Sequence, residues 1–378
     1  MDNLTHSLVG LTAAKAGLEK LSPGATAVCL LAANAPDADI VVLLFGDRWA
    51  FLQHHRGLSH SIIGTACLAL ILPLVFYLFD KTIAYMRSRP ATVKLRQLLI
   101  VSIVVSATHP LLDWTNNYGI QLLLPWSSRW FYGDLVFIVD PLIWILFGGA
   151  AFLLTSPSRV QQISWAVLAV VISLLVFLGP TRRGGLSHPH VLQAIWIVAV
   201  GCLLALFAFR VGSRLGPTLA RAAFVVLGGY LGFLAVLHGV AINESREHAA
   251  QIARINGEQV SRIVAMPTLA NPLRWECVFE TESATYRFNL TLPNTTSDFV
   301  RYENLPAGIK ALIQPALEDR RATILLGFAR FPVITVANTD CTTQTLVQFA
   351  DLRYTEPGGS RGVFSLEVPI ECNRPITK

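Results

Sequence analysis

The residues of this chain best suited to chemistry are histidines and aspartates placed where apolar runs begin or end. The stretch QHHRGLSHSI, residues 53–62, sets His54, His55 and His60 around Arg56 and Gly57 and leads straight into an apolar segment. Gly57 permits a turn that brings His55 and His60 together, and Arg56 can clamp a phosphate or carboxylate. In SATHPLLDWTNNYG, His109 and Asp113 stand four residues apart. That spacing puts both on one helical face, close enough to grip one ion, and the donor types suit zinc or a similar divalent metal. Pro110 between them predicts a kink. In NAPDADI, Asp37 and Asp39 interrupt an apolar run, where each carboxylate costs about 2.5–3.5 kcal/mol at a membrane helix centre. A bound cation or a water-filled cavity offsets such a cost, and Asn34 and Pro36 suggest a helix locally broken to present the carboxylates.

Each group also has a blander reading. His109 and Asp113 would sit at a helix end in water, the aspartates would be solvated past a span ending at Ala35, and Arg56 would anchor a helix at the headgroup layer. His6 in NLTHSLVG is a weaker signal taken alone. Asp134 and Asp140 suit helix capping, and His188 and His190 in SHPH are peripheral. Ser59 is the expected cap of the helix that starts near His60. The chain lacks a nucleophile elbow, a phosphate-cradling glycine loop and an H-E-x-x-H motif. It also lacks the basic runs interleaved with aromatics that nucleic acid requires.

The elements that must position these residues are membrane helices. Of 378 residues, 53% are hydrophobic and 14% charged, against roughly a quarter charged in soluble domains. Runs of spanning length cover 26–45, 61–79, 98–113, 136–154, 162–179, 191–210 and 222–242. The N-terminal segment has no basic leader, and His6 and Lys15 interrupt it, so it reads as a helix and not a signal peptide. The expected architecture is mainly α: a polytopic bundle of about 7–8 membrane helices over 1–242, an amphipathic connector helix over 243–264, and a soluble β-rich domain over 265–378. TYRFNLTL, TILLGFARFPVITV, TLVQFADLRY and GVFSLEVPI are its expected strands. Cys29, Cys67 and Cys202 read as buried small hydrophobes. Cys277, Cys341 and Cys372 lack metal spacing but leave room for a disulfide outside the cytoplasm.

With eight crossings, one side carries Lys15, Lys20, Lys81, Arg87, Arg89, Lys94, Arg96, Arg159, Arg210, Arg214 and Arg221, and the other Arg48, Arg56, Arg129, Arg182 and Arg183. The richer side is cytoplasmic by the positive-inside rule. The histidines and the C-terminal domain then fall on the outer face, and the +6 net charge is mostly a topology signal.

Read in order, Asp2-Thr5-His6-Gly10, Pro36-Asp37-Asp39, His55-Arg56-Gly57-His60-Ser61 and His109-Asp113-Gly119 resemble the YdjM/YbcI-type family of bacterial inner-membrane proteins regarded as metal-dependent hydrolases. Residues 129–141, with Arg129, Asp134 and Asp140-Pro141, are similar to it as well. The resemblance covers about 1–145 and implies a distant tie to zinc-dependent phospholipase C. It makes His6, Asp37 or Asp39, His55, His60, His109 and Asp113 the metal ligands, although the H-x-x-x-E pair of those enzymes has no match.

The functional expectation is a membrane-bound hydrolase in the bacterial cytoplasmic (inner) membrane. One or more zinc-like ions would activate water, Asp37 or Asp39 would bridge the metal or act as general base, and Arg56 would hold a substrate anion. The expected substrate is a phosphoester of a membrane lipid or a lipid-linked envelope precursor. The alternatives are a metal-ion or proton transporter using the His/Asp set as its path, and a non-catalytic module in which metal only ties helices together.

Overall fold

The computed structural model describes residues 1–183, 189–293, 295–296, 299–338, 344–357 and 364–371; His188, Cys341 and Cys372 lie outside them. The chain forms two compact units, one of residues 1–38, 56–235 and 268–271, the other of 39–55, 236–267 and 272–378.

The first unit is helical: α1 (Asn3–Lys15), α2 (Ala25–Asn34), and, past the segment 39–55 with its short α3 (Arg48–His54), α4 (Ile62–Met86), α5 (Leu95–Trp114), α6 (Pro141–Thr155), α7 (Arg159–Arg183), α8 (Pro189–Ala208), α9 (Val211–Leu215) and the first half of α10 (Pro217–Ile255). Among the described residues, six stretches are long and apolar enough to cross a membrane: Ala25–Leu44, Ile62–Met86, Leu95–Trp114, Arg159–Leu178, His190–Ala208 and Pro217–Ile255. The two other expected crossings are shorter. α1 has 13 residues and α6 has 15, because Asp140 accepts hydrogen bonds from the Leu142 and Ile143 N–H groups and starts α6 at Pro141.

What draws α1, α2 and α5 together is a seam of small residues. Ala13, Ala14, Ala25, Val28, Cys29, Ala32 and Ala33 pack with Leu98, Val101 and Val105 in one buried cluster. Small side chains let helix backbones approach, which is how membrane helices gain packing when the surrounding lipid is as apolar as they are. Gly10 lies at the tightest point, where an added Cβ would meet the Cys29 carbonyl oxygen at 2.7 Å. Asp2 caps α1 through the Thr5 N–H at 2.9 Å and also accepts the Trp144 indole N–H at 3.1 Å. α1 is thereby fixed to α6 as well as to α2.

The second unit holds two antiparallel sheets. β1 (Arg262–Thr268), β2 (Asn271–Glu280), β3 (Ala284–Thr291) and β4 (Thr295–Thr296) follow in order, with β5 (Val300–Glu303) also pairing with β3. β6 (Pro332–Val336), β7 (Gln344–Asp351) and β8 (Ser365–Glu371) form the second sheet. Trp275, Cys277, Phe279, Tyr286, Phe288 and Leu290 make the core of the first sheet with Ala241 and Ala249 of α10.

Two expectations are corrected in this unit. The connector over 243–264 is not a separate helix: α10 runs unbroken to Ile255, and β1 begins at Arg262. TILLGFARFPVITV is strand only in its second half, since its first half lies in α12 (Arg320–Phe328), which follows α11 (Ala307–Leu317). Asp319 caps α12 through the Arg321 N–H at 2.7 Å, and Ala322, Leu325 and Phe328 are its buried face. A three-residue repeat is the helical period, which outweighs the β-favouring residues between. Cys277 is a free thiol beside Ser245, and burial pushes it up to about 12, so it is inert.

Two predictions follow from these contacts. Gly10→Ala drives a methyl group into the α2 backbone and lowers the thermal midpoint by an amount equivalent to about 1–3 kcal/mol, whereas Gly201→Ala, with open space around it, leaves the midpoint unchanged. In the second unit, hydrogen bonds from Ser283 first, then Thr281 and Tyr286, with Arg301 beside them, hold the Glu258 carboxyl at about 2 against an ordinary 4.5. A depressed carboxyl contributes stability above its unfolded value and loses it as pH falls through the folded one. Between pH 4.5 and 2, thermal melts of Glu258→Gln should therefore lose less stability than those of the native chain; parallel losses would refute the assignment.

Candidate metal centre

The break that ends α2 sets the geometry of the centre. Past Asn34 the chain tightens into a 3-10 helix, Ala35–Leu44. Asp37 is buried in the first unit, while Asp39 belongs to the second, where His55 Nδ1 lies 3.1 Å from its Oδ1.

Asp37 meets residues from two further elements. His60 comes from a single 3-10 turn, Leu58–His60, ahead of α4. Ser61, and not Ser59, caps that helix, its Oγ accepting the Gly64 N–H at 3.1 Å. Ser59 Oγ instead lies 2.9 Å from His60 Nδ1, which leaves Nε2 to face inward. His109 and Asp113 share one face of α5, as their spacing requires, and α5 continues through Pro110 to Trp114.

The four donors crowd together. His60 Nε2 lies 3.2 Å from Asp37 Oδ1, 3.1 Å from His109 Nε2 and 3.4 Å from Asp113 Oδ2. His109 Nε2 lies 3.6 Å from Asp37 Oδ1 and 3.5 Å from Asp113 Oδ2. A four-coordinate zinc site with ligand bonds of about 2.0–2.2 Å has donor–donor edges of about 3.3–3.6 Å, so the spacing is that of a coordination shell. Asp37, His60, His109 and Asp113 together form a group able to hold a metal ion.

Hydrogen-bond accounting supports the same fit. His109 Nδ1 lies 2.6 Å from the Ala33 carbonyl oxygen. A carbonyl only accepts, so Nδ1 carries the proton and the neutral ring turns the Nε2 lone pair toward the cluster, the usual arrangement behind a metal-ligating histidine. Asp37 Oδ2 and Asp113 Oδ2 are buried without a hydrogen bond, and two buried carboxylates need positive charge nearby.

Part of that charge comes from Arg56. Its Nη2 is 3.3 Å from Asp113 Oδ1, its Nη1 donates to Asn116 Oδ1 at 2.9 Å, and its guanidinium lies 4.5 Å from the Tyr118 ring centre. The N-terminal amine also touches Asp113. Arg56 is only 2% exposed and has a φ of 60°, a left-handed conformation that a non-glycine residue keeps only when its surroundings impose it. His6, from α1, stacks on His109 with centroids 3.7 Å apart and places Nε2 3.3 Å from Asp113 Oδ1.

Six of the expected site residues thus converge in the first unit: His6, Asp37, Arg56, His60, His109 and Asp113. Asp39 and His55 face each other in the second. Asp140 caps α6 and accepts the Tyr230 hydroxyl proton at 2.8 Å, while Asp134 is buried with a φ of 53°.

The family model described as YdjM inner membrane protein matches residues 1–182, the stretch that holds all six. Residues 1–182, just under half of the chain, are thus similar to the YdjM inner membrane protein family. That match and the six apolar helices among the described residues together make this chain a membrane protein. It is also similar to the uncharacterized protein YfhP of Bacillus subtilis, 28% identical over 155 residues. That match covers 38% of this chain and spans about 43% of the relative's length. No solved structure matches the chain.

Sequence reasoning missed Asn116 and Tyr118, which hold Arg56, and misassigned Ser59. The first two stand beside Asp113 in DWTNNYG, where a paired asparagine and a glycine promise only a turn; Asn116 Oδ1 does accept the Tyr118 N–H at 2.9 Å, and Arg56 uses the same oxygen. Elemental analysis of the purified chain checks the centre. The native protein should carry a divalent metal that His109→Ala and Asp113→Ala lose; equal metal in all three would refute the assignment.

Proposed function

We propose that this chain is a membrane-bound metal-dependent hydrolase that cleaves a phosphoester of a lipid or envelope precursor, with its site on the outer face of the bacterial cytoplasmic membrane. The donor set carries the reading. Structural zinc sites are built largely from cysteine, whereas hydrolytic ones use histidine and carboxylate, and the group here is two histidines and two aspartates, with His6 beside them. Arg56 supplies a cation that does not ligate metal, and an arginine beside metal donors favours an anionic substrate such as a phosphate.

A divalent metal in this group would acidify a bound water and polarise the phosphoryl group under attack. His109 holds its Nε2 lone pair inward through the Ala33 carbonyl, and His60 turns its Nε2 inward with Nδ1 beside Ser59. Asp37, the least enclosed of the four at 8% side-chain exposure and with Oδ2 lacking a donor, is placed to take the proton from water. Arg56, steadied by Asn116 and Tyr118, would orient a phosphate by its planar fork. The tie to zinc-dependent phospholipase C is part of this proposal, as are zinc as the metal and the outward placement of the β-rich unit.

One observation favours a second reading, a metal that only clamps helices. The side chains of His60, His109 and Asp113 are all 0% exposed, and four protein donors close a tetrahedral site. Turnover separates the two. Metal-loaded full-length protein should hydrolyse a chromogenic phosphodiester, and Arg56→Lys, which keeps charge but loses the fork, should keep its metal while kcat/KM falls about tenfold. Stoichiometric metal without turnover would leave the clamp; unaltered kinetics in Arg56→Lys would remove that residue from substrate binding.

A further inference from the structure

A second site, which uses none of the metal donors, lies along α6 between α7 and α8. Its inner part is an apolar slot of about 280 Å³ whose walls include Leu8, Trp144, Phe152, Trp165, Ala169 and Trp196. That volume sits just below the usual range for small-molecule pockets and suits one narrow chain. The three indole N–H groups turn away from it: Trp144 donates to Asp2 and Thr5, Trp165 to Thr155 and Trp196 to Ser173. The slot is therefore bounded by ring carbons.

The slot continues into a wider, more polar groove of about 590 Å³, the two sharing Gln162 and Phe207 as wall residues. Arg210, Ser156 and Ser213 line this outer part. Arg210, two residues past the end of α8 and the N-cap of α9, lies in the left-handed region at φ 56° and ψ 35°. Glycine takes that conformation without strain and is the ordinary choice at a helix end, so an arginine there is retained against a backbone cost. Among the described residues no carboxylate pairs with its guanidinium. Gly212 brings the corner close, since an added Cβ would lie 2.0 Å from the Leu153 carbonyl oxygen. That fit fixes Arg210 at the rim.

We propose that this groove binds an anionic phospholipid, one acyl chain in the slot and the headgroup phosphate at Arg210. A cation without an anion, set at the polar end of an apolar slot between two helices of membrane-spanning character, complements a molecule that is negative at one end and aliphatic beyond. The chain's inner end lies against Trp144, the residue that holds Asp2 and Thr5 at the start of α1.

Three of the eight tryptophans wall the slot, so bromine on an acyl chain reports occupancy by quenching their fluorescence. Full-length protein in neutral detergent is titrated with phosphatidylglycerol or phosphatidylcholine brominated on one chain, and with dibromostearate. Phosphatidylglycerol should quench at about a tenth of the concentration that phosphatidylcholine needs, the ratio expected for one charge-assisted contact. Arg210→Gly should erase that preference while the thermal midpoint stays level or rises, because glycine accepts the same backbone. Ala169→Phe, which fills the slot, should reduce quenching by both phospholipids. Equal quenching of the native protein by the two phospholipids, a preference that survives Arg210→Gly, or dibromostearate matching phosphatidylglycerol would each overturn the proposal.

Discussion

Two buried carboxylates in an apolar bundle impose the constraint to which the rest of the first unit answers. Asp37 and Asp113 lose hydration that protein groups only partly replace, and an ionised carboxylate without compensation is costly in such a medium. Arg56 lies against Asp113, and the two histidine Nε2 atoms approach both aspartates. Lone pairs do not neutralise carboxylates; a cation between them does. The 3-10 break after α2, the alanine seam and the capping of α1 by Asp2 all bring these groups to a common point. None of those features would be worth its backbone cost in a bundle that merely filled a membrane.

The site was legible because its residues are conspicuous in such an apolar chain. His109 and Asp113 needed only their four-residue spacing, and Asp37 only its apolar neighbourhood. Asp37 and Asp39 could not be told apart, because two carboxylates in one short apolar run look alike in sequence, and only packing leaves Asp37 buried and Asp39 half-buried. Ser59 and Ser61 posed the same problem: either can cap a helix, and only the turn at Leu58–His60 decides which hydroxyl reaches Gly64. Arg56 was read as an anion clamp, but its holders Asn116 and Tyr118 lie about sixty residues away in sequence, and nothing local announces them.

The fold divides along similar lines. Long apolar helices declare themselves by length, and two antiparallel sheets follow the alternation in TYRFNLTL, TLVQFADLRY and GVFSLEVPI. TILLGF misled because its residues favour strand, whereas the Asp319 cap and the Ala322–Leu325–Phe328 repeat favour helix. A short segment can satisfy both patterns until packing selects one. α6 is the complementary case, apolar enough to resemble a span but cut short by the Asp140 cap.

The contact between His109 Nδ1 and the Ala33 carbonyl has a consequence for how this centre can change over time. The acceptor is main chain, so no substitution at position 33 deletes it, and no covarying partner would betray it. What position 33 can lose is space, since a larger side chain would prise α2 from α1, where Gly10 leaves no slack beside the Ala33 methyl. The orientation of the histidine is inherited through the bulk of an alanine, and a search for conserved polar partners would pass over it.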